Sequence, residues 1–183
     1  TVTIPGGTRS AAGGVLGEAV SWTFGTPALA ATGGLPYGTG ILRDPLILIQ
    51  FDQRIGRAAV AQRIRVRGGG QAIAVRLATA AEVAADPGAR SLSQRADSAT
   101  WIALKPVQQL PYDTDVRVVI PAGTPSGEGP RPTAVDQAWS FRTYGPLRVE
   151  TAVCGDPCRP GMTFNLLFTN PLDTAAYQPS WVR

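Results

Sequence analysis

The chain has 183 residues, 44% hydrophobic and 16% charged, enough to bury a core with material left beyond one ordinary domain. It contains no histidine, which removes the commonest general base, the Ser-His-Asp triad and histidine-ligated metal sites, so we expect no catalytic activity and no cofactor. The net charge of +4 comes from scattered arginines and the single Lys105. Because these charges form no basic block, a nucleic-acid partner is not required. No apolar run approaches the ~18 residues of a membrane helix, so membrane insertion is not expected.

The N-terminal stretch is repeated later in the chain. Residues 2–14 align without a gap on residues 118–130, and seven positions are identical. With one residue inserted, SWTFGT aligns on AWSFRT, and further along Phe51 aligns on Phe168 at a spacing of 117 residues. Such a period is too long for a solenoid unit and suits a tandem array of β domains. We therefore expect the closing strands of one repeat in 1–26, a complete domain in 27–143 and the opening strands of another repeat in 144–183.

Within 27–143 the apolar pattern predicts short strands joined by turns. LILIQFD alternates, RAAVAQ suits a turn of helix, and an arginine-rich strand is followed by a glycine triplet and its hairpin partner QAIAVRL. Thr79 and Glu82 have the spacing of a capping box, which predicts a short helical insertion that Pro87 interrupts. Strand character then resumes through three further segments, so the pattern indicates an all-β antiparallel sandwich. The predicted core consists of Ile47, Ile49, Phe51, Trp101, Val118, Ile120, Trp139 and Phe141, and we also expect Trp22 and Phe24 to pack in a core.

One group of arginines forms a candidate binding site. Strands pairing across the predicted hairpin would gather the side chains of Arg63, Arg65, Arg67 and Arg76 on one face, where they could bind phosphate or a polyanion. A solvated strand face is the alternative interpretation. Asp113 and Asp115 have the spacing of a partial calcium site, but an EF-hand would need further oxygen ligands.

Two cysteines, Cys154 and Cys158, stand close together near the C-terminus. Without histidines they cannot supply the four ligands of a structural zinc site. Three intervening residues can close a tight disulfide loop, which is the pairing we expect; a redox-active pair is the alternative, although the spacing is not C-x-x-C.

Several segments resemble a known family. LPYDTDVRVVIPAGTPS and the closing W-x-F-x-T are similar to bacterial Ig-like domains found in tandem in cell-envelope proteins. DPLILIQFDQRI, AVRLATAAEVAADP, WSFRTYGPLRV and FTNPLDTAAY resemble the Ig-like modules near the start of large bacterial alpha-2-macroglobulin proteins. The resemblance implies an Ig-like sandwich and a periplasmic, cell-envelope or secreted location. That family traps proteases, in many members through a Cys-Gly-x-Gln thioester; here Pro157 stands where the glutamine should be, so no thioester is expected.

Two function classes remain open at this point. The first is a non-catalytic structural or interaction module of an envelope protease inhibitor, whose partners are the other domains of its parent protein and, through the parent, proteases. The second is a ligand- or carbohydrate-binding accessory domain of a secreted enzyme or adhesin.

The two terminal segments carry apolar residues that need cover, so we expect a partial second sandwich, within one chain or head-to-tail between chains. Those residues are Val2, Ile4, Trp22, Phe24, Phe164, Leu166, Phe168 and Trp181.

Overall fold

The structure is a computed structural model that describes residues 1–154, 157–159, 161–176, 178 and 180. The strands are β1 (Val2–Ile4), β2 (Val20–Trp22), β3 (Ala31–Leu35), β4 (Gly38–Ile41), β5 (Ile47–Phe51), β6 (Arg65–Gly68), β7 (Gln71–Ile73), β8 (Val75–Leu77), β9 (Trp101–Pro106), β10 (Asp115–Ile120), β11 (Gln137–Thr143), β12 (Val149–Val153) and β13 (Asn165–Phe168). The helices are α1 (Arg57–Ala61), α2 (Ala80–Ala85) and α3 (Pro87–Arg95), and a 3₁₀ turn spans Ser98–Thr100.

The central part of the chain is a sandwich of two sheets. One sheet has the strand order β3-β5-β9-β8, and the other has the order β4-β11-β10-β6-β7. Neighbouring strands are antiparallel except β4, which runs parallel to β11. Read in chain order, these sheets are the A-B-E-D and A′-G-F-C-C′ arrangement of an Ig-like fold, with the first strand split between the two sheets. The predicted all-β sandwich is therefore confirmed.

The core lies between the two sheets. Strands β5 and β10 each turn alternate side chains inward, as their sequences predict. The buried cluster comprises Leu29, Ile47, Ile49, Phe51, Ile55, Val60, Ile64, Val66, Ile102, Leu104, Leu110, Val116, Val118, Ile120 and Phe141. Trp139, predicted as core, is half-buried and packs against this cluster from its margin.

A helical layer covers the outer face of the four-stranded sheet. Thr79 caps α2 through the predicted capping box, accepting from the Glu82 backbone while the Glu82 carboxylate accepts from the Thr79 backbone. Pro87 does not end the helical insertion as expected; it is the first residue of α3, which Asp86 caps, because proline suits the first helical position. Beneath this layer Trp101 belongs to a second buried cluster with Leu48, Ala89 and Ala103. Trp101 is thus buried, but outside the core between the sheets.

The N-terminal hairpin repeats the geometry of the β10–β11 hairpin. Strand β1 pairs with β2 in the register Val2↔Trp22 and Ile4↔Val20, and β10 pairs with β11 in the corresponding register. The turns agree as well: Gly7 donates to the Leu16 carbonyl as Gly123 does to the Thr133 carbonyl. In both hairpins a threonine hydroxyl, Thr8 or Thr124, donates 2.7 Å to the carbonyl of a preceding proline. The sequence repeat is therefore a structural repeat.

The C-terminal hairpin repeats the β3–β5 pair in the same way. Its pairs Val149↔Phe168 and Val153↔Asn165 correspond to Ala31↔Phe51 and Leu35↔Leu48, and the register shift falls after the first pair in both. The same register shift at the same position supports the assignment of β12 and β13 as counterparts of β3 and β5. The chain thus repeats one strand pair from each of the two sheets, once in its N-terminal hairpin and once in its C-terminal hairpin.

Candidate interaction surfaces

The face of β1–β2 that corresponds to the core face of β10–β11 is open. Phe24, the counterpart of Phe141, is 70% exposed, whereas Phe141 is 2% exposed. Trp22 is 48% exposed, and Ile4 is exposed beside it. The prediction that Trp22 and Phe24 pack in a core is therefore wrong for this chain, because no second sheet of the described residues lies over them.

The C-terminal hairpin also has an open apolar face. Phe164 is 54% exposed and Leu166 is exposed, although their counterparts Ile47 and Ile49 are fully buried. Phe168 is half-buried. Trp181, assigned to the same face from sequence, lies outside the described residues.

Asn170 is a polar group in this hairpin whose setting matches that of Gln53. The Gln53 side-chain amide donates to the Pro27 carbonyl at 3.2 Å, and the Asn170 amide donates to the Gly145 carbonyl at 2.8 Å. The Gln53 side-chain oxygen accepts from the Ser126 hydroxyl at 2.7 Å. The Asn170 Oδ1 is buried and has no hydrogen-bond partner in the described part of the chain. Sequence reasoning missed Asn170, yet its alignment with Gln53 could have signalled it.

The arginine group predicted from sequence is split between the two sheets. Arg65 and Arg67 are exposed on the outer face of β6, and Arg63 is exposed just before that strand. Arg76 lies in β8 of the other sheet, because β7 leaves the five-stranded sheet at Ile73 and the chain crosses over through Ala74. The structure therefore does not bring Arg76 to the face that carries the other three.

The outer face of β6 gains a cation that the sequence analysis did not assign. Arg117 of β10 stands directly opposite Arg67, and Val119 stands opposite Arg65. The Arg67 guanidinium donates to the Gly70 carbonyl at 2.8 Å. Within the described residues neither Arg65 nor Arg117 makes an ion pair. We call Arg65, Arg67 and Arg117 the arginine face. Arg117 could have been assigned from the sequence, because exposed and buried positions alternate along β10.

Arg76 is instead committed to the cap of α2. Its guanidinium makes two contacts with the Glu82 carboxylate, at 2.9 Å and 2.6 Å. The Arg76 hydrogen bond, followed by the Thr79 backbone donor, lowers the pKa of Glu82 to about 2. Such a bidentate pair leaves little capacity for an external anion.

The two aspartates weighed as calcium ligands are also occupied. Asp113 accepts from Arg142 at 3.0 Å, and Asp115 contacts the same guanidinium at 2.5 Å. Among the described residues no group of three or more acidic or cysteine side chains has the arrangement of a metal site. Both carboxylates are therefore paired with Arg142 in this structure.

A cleft of about 400 Å³ lies between the helical layer and the four-stranded sheet. Val83 and Trp101 line it, and Arg57 and Arg90 contribute charge at its margin. The Arg57 guanidinium carbon lies 5.0 Å from the centre of the Trp101 ring, within the range of a cation–π contact. The lining of the cleft is largely apolar.

Cys154 and Cys158 form a disulfide, with their Cα atoms 5.2 Å apart, which confirms the predicted pairing. The bond joins two residues of the segment between β12 and β13. In the part of the chain that the structure describes, none of the helices has the length and hydropathy that a membrane-spanning segment requires.

No protein-family model matches the chain, and no curated protein matches it. Among solved structures, the N-terminal part of the bacterial S-layer protein SbsC is similar at a TM-score of 0.41 and 10% identity. The similarity covers 77% of this chain and 32% of that one, so the chain spans about a third of its length.

Proposed function

We propose that the chain is a non-catalytic structural and interaction module. It consists of one complete Ig-like sandwich, residues 27–143, flanked by strands that belong to neighbouring repeats. The observation that carries this proposal is the pair-by-pair recurrence of strand register and turn hydrogen bonds in both terminal hairpins. Modules that recur with one geometry serve as spacers and docking units, since each presents the same edges to its neighbours.

The parent protein that best fits this role is a bacterial cell-envelope inhibitor of the alpha-2-macroglobulin type. This part of the proposal rests on the sequence resemblance. The Cys154–Cys158 bond supports an oxidising location, such as the periplasm, the envelope or the exterior, because disulfides persist there. Both cysteines are occupied by the bond, which is consistent with a supporting module rather than a trapping one.

Incubation with a panel of proteases tests this function. We expect no covalent adduct, no protection of a macromolecular substrate and no sensitivity to methylamine, because the chain offers no thioester. Hydrolytic assays on peptide, ester and glycoside substrates should likewise remain at background. A methylamine-sensitive adduct or a saturable turnover would overturn the proposal.

The second candidate is a ligand-binding accessory module, and the arginine face favours it. Arg67 and Arg117 are directly opposed across two strands, where like charges repel. A bound sulfate, phosphate or anionic sugar would relieve that repulsion. Equilibrium binding of inorganic phosphate and of a sulfated oligosaccharide, compared between the natural chain and Arg117→Thr, tests this candidate.

A further inference from the structure

Trp101 has an unused hydrogen-bond donor beneath the helical layer. The side chain is 5% exposed, and its indole Nε1 has no partner among the described residues. The indole of Trp139, by contrast, donates to the Pro36 carbonyl. A buried donor without an acceptor is costly, so an unpaired one calls for an explanation. Trp101 also lines the cleft between the helical layer and the four-stranded sheet, which makes that cleft a candidate binding site.

The cleft has room for a small molecule with an apolar body. Its volume of about 400 Å³ lies toward the lower end of the range for ligand pockets. Ala80 and Ala84 of α2 contribute only methyl groups to the lining, so the space between α2 and the sheet is not filled by side chains. Leu77 and Val83 add further apolar surface. A hydrocarbon body therefore matches this lining.

The margin of the cleft is cationic. Arg57 of α1 and Arg90 of α3 both line it, and both side chains are exposed. Neither arginine forms an ion pair within the described part of the chain. Among the described residues that line the cleft, none is acidic. Charge complementarity therefore favours a ligand that carries an anionic group.

The cleft offers few partners for a ligand whose body is polar. Apart from the indole and the two arginines, the only polar side chain among the described lining residues is Ser93. A peptide would bring several backbone amides that would lose water here without gaining partners, and each such loss costs free energy. An acyl chain has no such groups. An apolar chain with one anionic head is therefore the class of ligand that fits.

We propose that this cleft binds a medium-chain carboxylate. The acyl chain lies against Leu77 and Val83, and the carboxylate accepts from the Arg57 guanidinium and from the Trp101 indole. The guanidinium carbon of Arg57 lies 5.0 Å from the centre of the indole ring, so the two oxygens of one carboxylate can reach both groups. Arg57 lies over the ring and donates to the Ser98 carbonyl. Binding draws its exposed side chain toward the carboxylate and uncovers the edge of the indole.

This site goes beyond the proposed module role and is separate from the arginine face. The cleft lies on the outer side of the four-stranded sheet, whereas the arginine face belongs to the five-stranded sheet. Arg117→Thr, which tests the arginine face, should therefore leave carboxylate binding unchanged. The two binding sites can be measured independently in one protein.

A nuclear magnetic resonance titration of the full chain with sodium octanoate tests the site. The indole N–H signal of Trp101, identified by its loss in Trp101→Phe, should move downfield and saturate, because a hydrogen bond to a carboxylate deshields the proton. The indole signals of Trp22 and Trp139 should stay in place, since neither residue lines the cleft. Octylamine has an apolar chain of the same length with a cationic head and should cause no shift.

Two pairs of variants at exposed positions locate the ligand. Ala84→Glu places a negative charge in the cleft and should abolish octanoate binding. Ala85→Glu introduces the same charge at the next residue of α2, outside the lining, and should bind like the natural chain. Arg90→Gln should weaken binding about threefold, the effect of a typical exposed ion pair. Arg95→Gln, also in α3 but outside the lining, is its control and should change nothing.

A Trp101 indole signal that stays in place, a shift that Ala84→Glu retains, or equal binding of octanoate and octylamine would overturn the proposed site. Such a result without a protease adduct would leave the module role standing. A protease adduct would remove the module role whether or not octanoate binds.

Discussion

The indole ring of Trp139 lies directly against the backbone of Gly34. A Cβ built at position 34 would come within 2.8 Å of the ring, and the indole Nε1 donates 3.0 Å to the Pro36 carbonyl. Gly34 belongs to the edge strand of one sheet and Trp139 to a strand of the other. This contact therefore closes one margin of the sandwich.

Replacing Gly34 by alanine should destabilise the protein by about 1–3 kcal/mol, because the new methyl group must displace a packed ring. Gly33→Ala is the matched control: it lies in the same strand, and nothing comes within 4 Å of the position that its Cβ would take. Denaturant unfolding of both variants measures the difference. Equal midpoints for the two variants would contradict the assigned packing.

Phe141 and Phe24 occupy corresponding positions of the repeat with opposite burial. Phe141→Ala should cost about 3–5 kcal/mol of unfolding free energy, since the side chain is 2% exposed between the sheets. Phe24→Ala should change stability by less than about 0.5 kcal/mol when measured at a concentration where the chain is monomeric. A comparable loss in both variants would mean that the N-terminal hairpin packs on a core within one chain.

The Arg76–Glu82 pair predicts a loss of stability in acid. The pKa of Glu82 is lowered to about 2 in the folded protein, below its ordinary value of 4.5. Its contribution is therefore fully present above pH 4.5 and is lost as the pH falls toward 2. Asp97 contributes in the same direction, because a hydrogen bond from the Ala99 backbone and the nearby Arg54 lower its pKa. Unfolding midpoints measured across this range should fall less for Glu82→Gln than for the natural chain, whereas Glu18→Gln should follow the natural chain.

Arg117→Thr should raise the melting temperature at low ionic strength, because it removes the charge opposite Arg67. The gain should disappear in high salt, where exposed charges are screened. Arg9→Thr, in the turn of the N-terminal hairpin, controls for the change in net charge. A gain that persists in high salt would show that strand propensity, not repulsion, is responsible.

Thiol titration of the denatured, unreduced protein should find no reactive cysteine. The double variant Cys154→Ser with Cys158→Ser should change the unfolding free energy of the central sandwich by less than about 0.5 kcal/mol, since the loop lies outside that sandwich. A larger fall would show that the C-terminal hairpin and the sandwich unfold together.

Alternation and capping chemistry sufficed to predict much of the fold. The inward residues of β5 and β10 and the Thr79–Glu82 box are local patterns, and local patterns can be read without knowing the rest of the structure. The length of the helical layer does not follow from local patterns, because Pro87 suits the start of a helix as well as its end.

The arginine assignment failed where a single residue decides the topology. Alternation shows which face of a strand a side chain occupies, but it does not show that the chain changes sheets at Ala74 and carries Arg76 away from Arg67. The exposure of Trp22 and Phe24 could not be predicted from the sequence either, since their local sequence matches that of Trp139 and Phe141. Their burial depends on whether a facing sheet is present, which no single strand encodes.

The helical layer makes the two broad sides of the sandwich unequal. Helices α2 and α3 coat the four-stranded sheet, while the five-stranded sheet leaves the arginine face bare. The outer surface of the central sandwich is therefore helix-covered on one side and cationic on the other. A ligand that approaches the central sandwich can therefore contact the guanidinium groups of the arginine face only from the side of the five-stranded sheet.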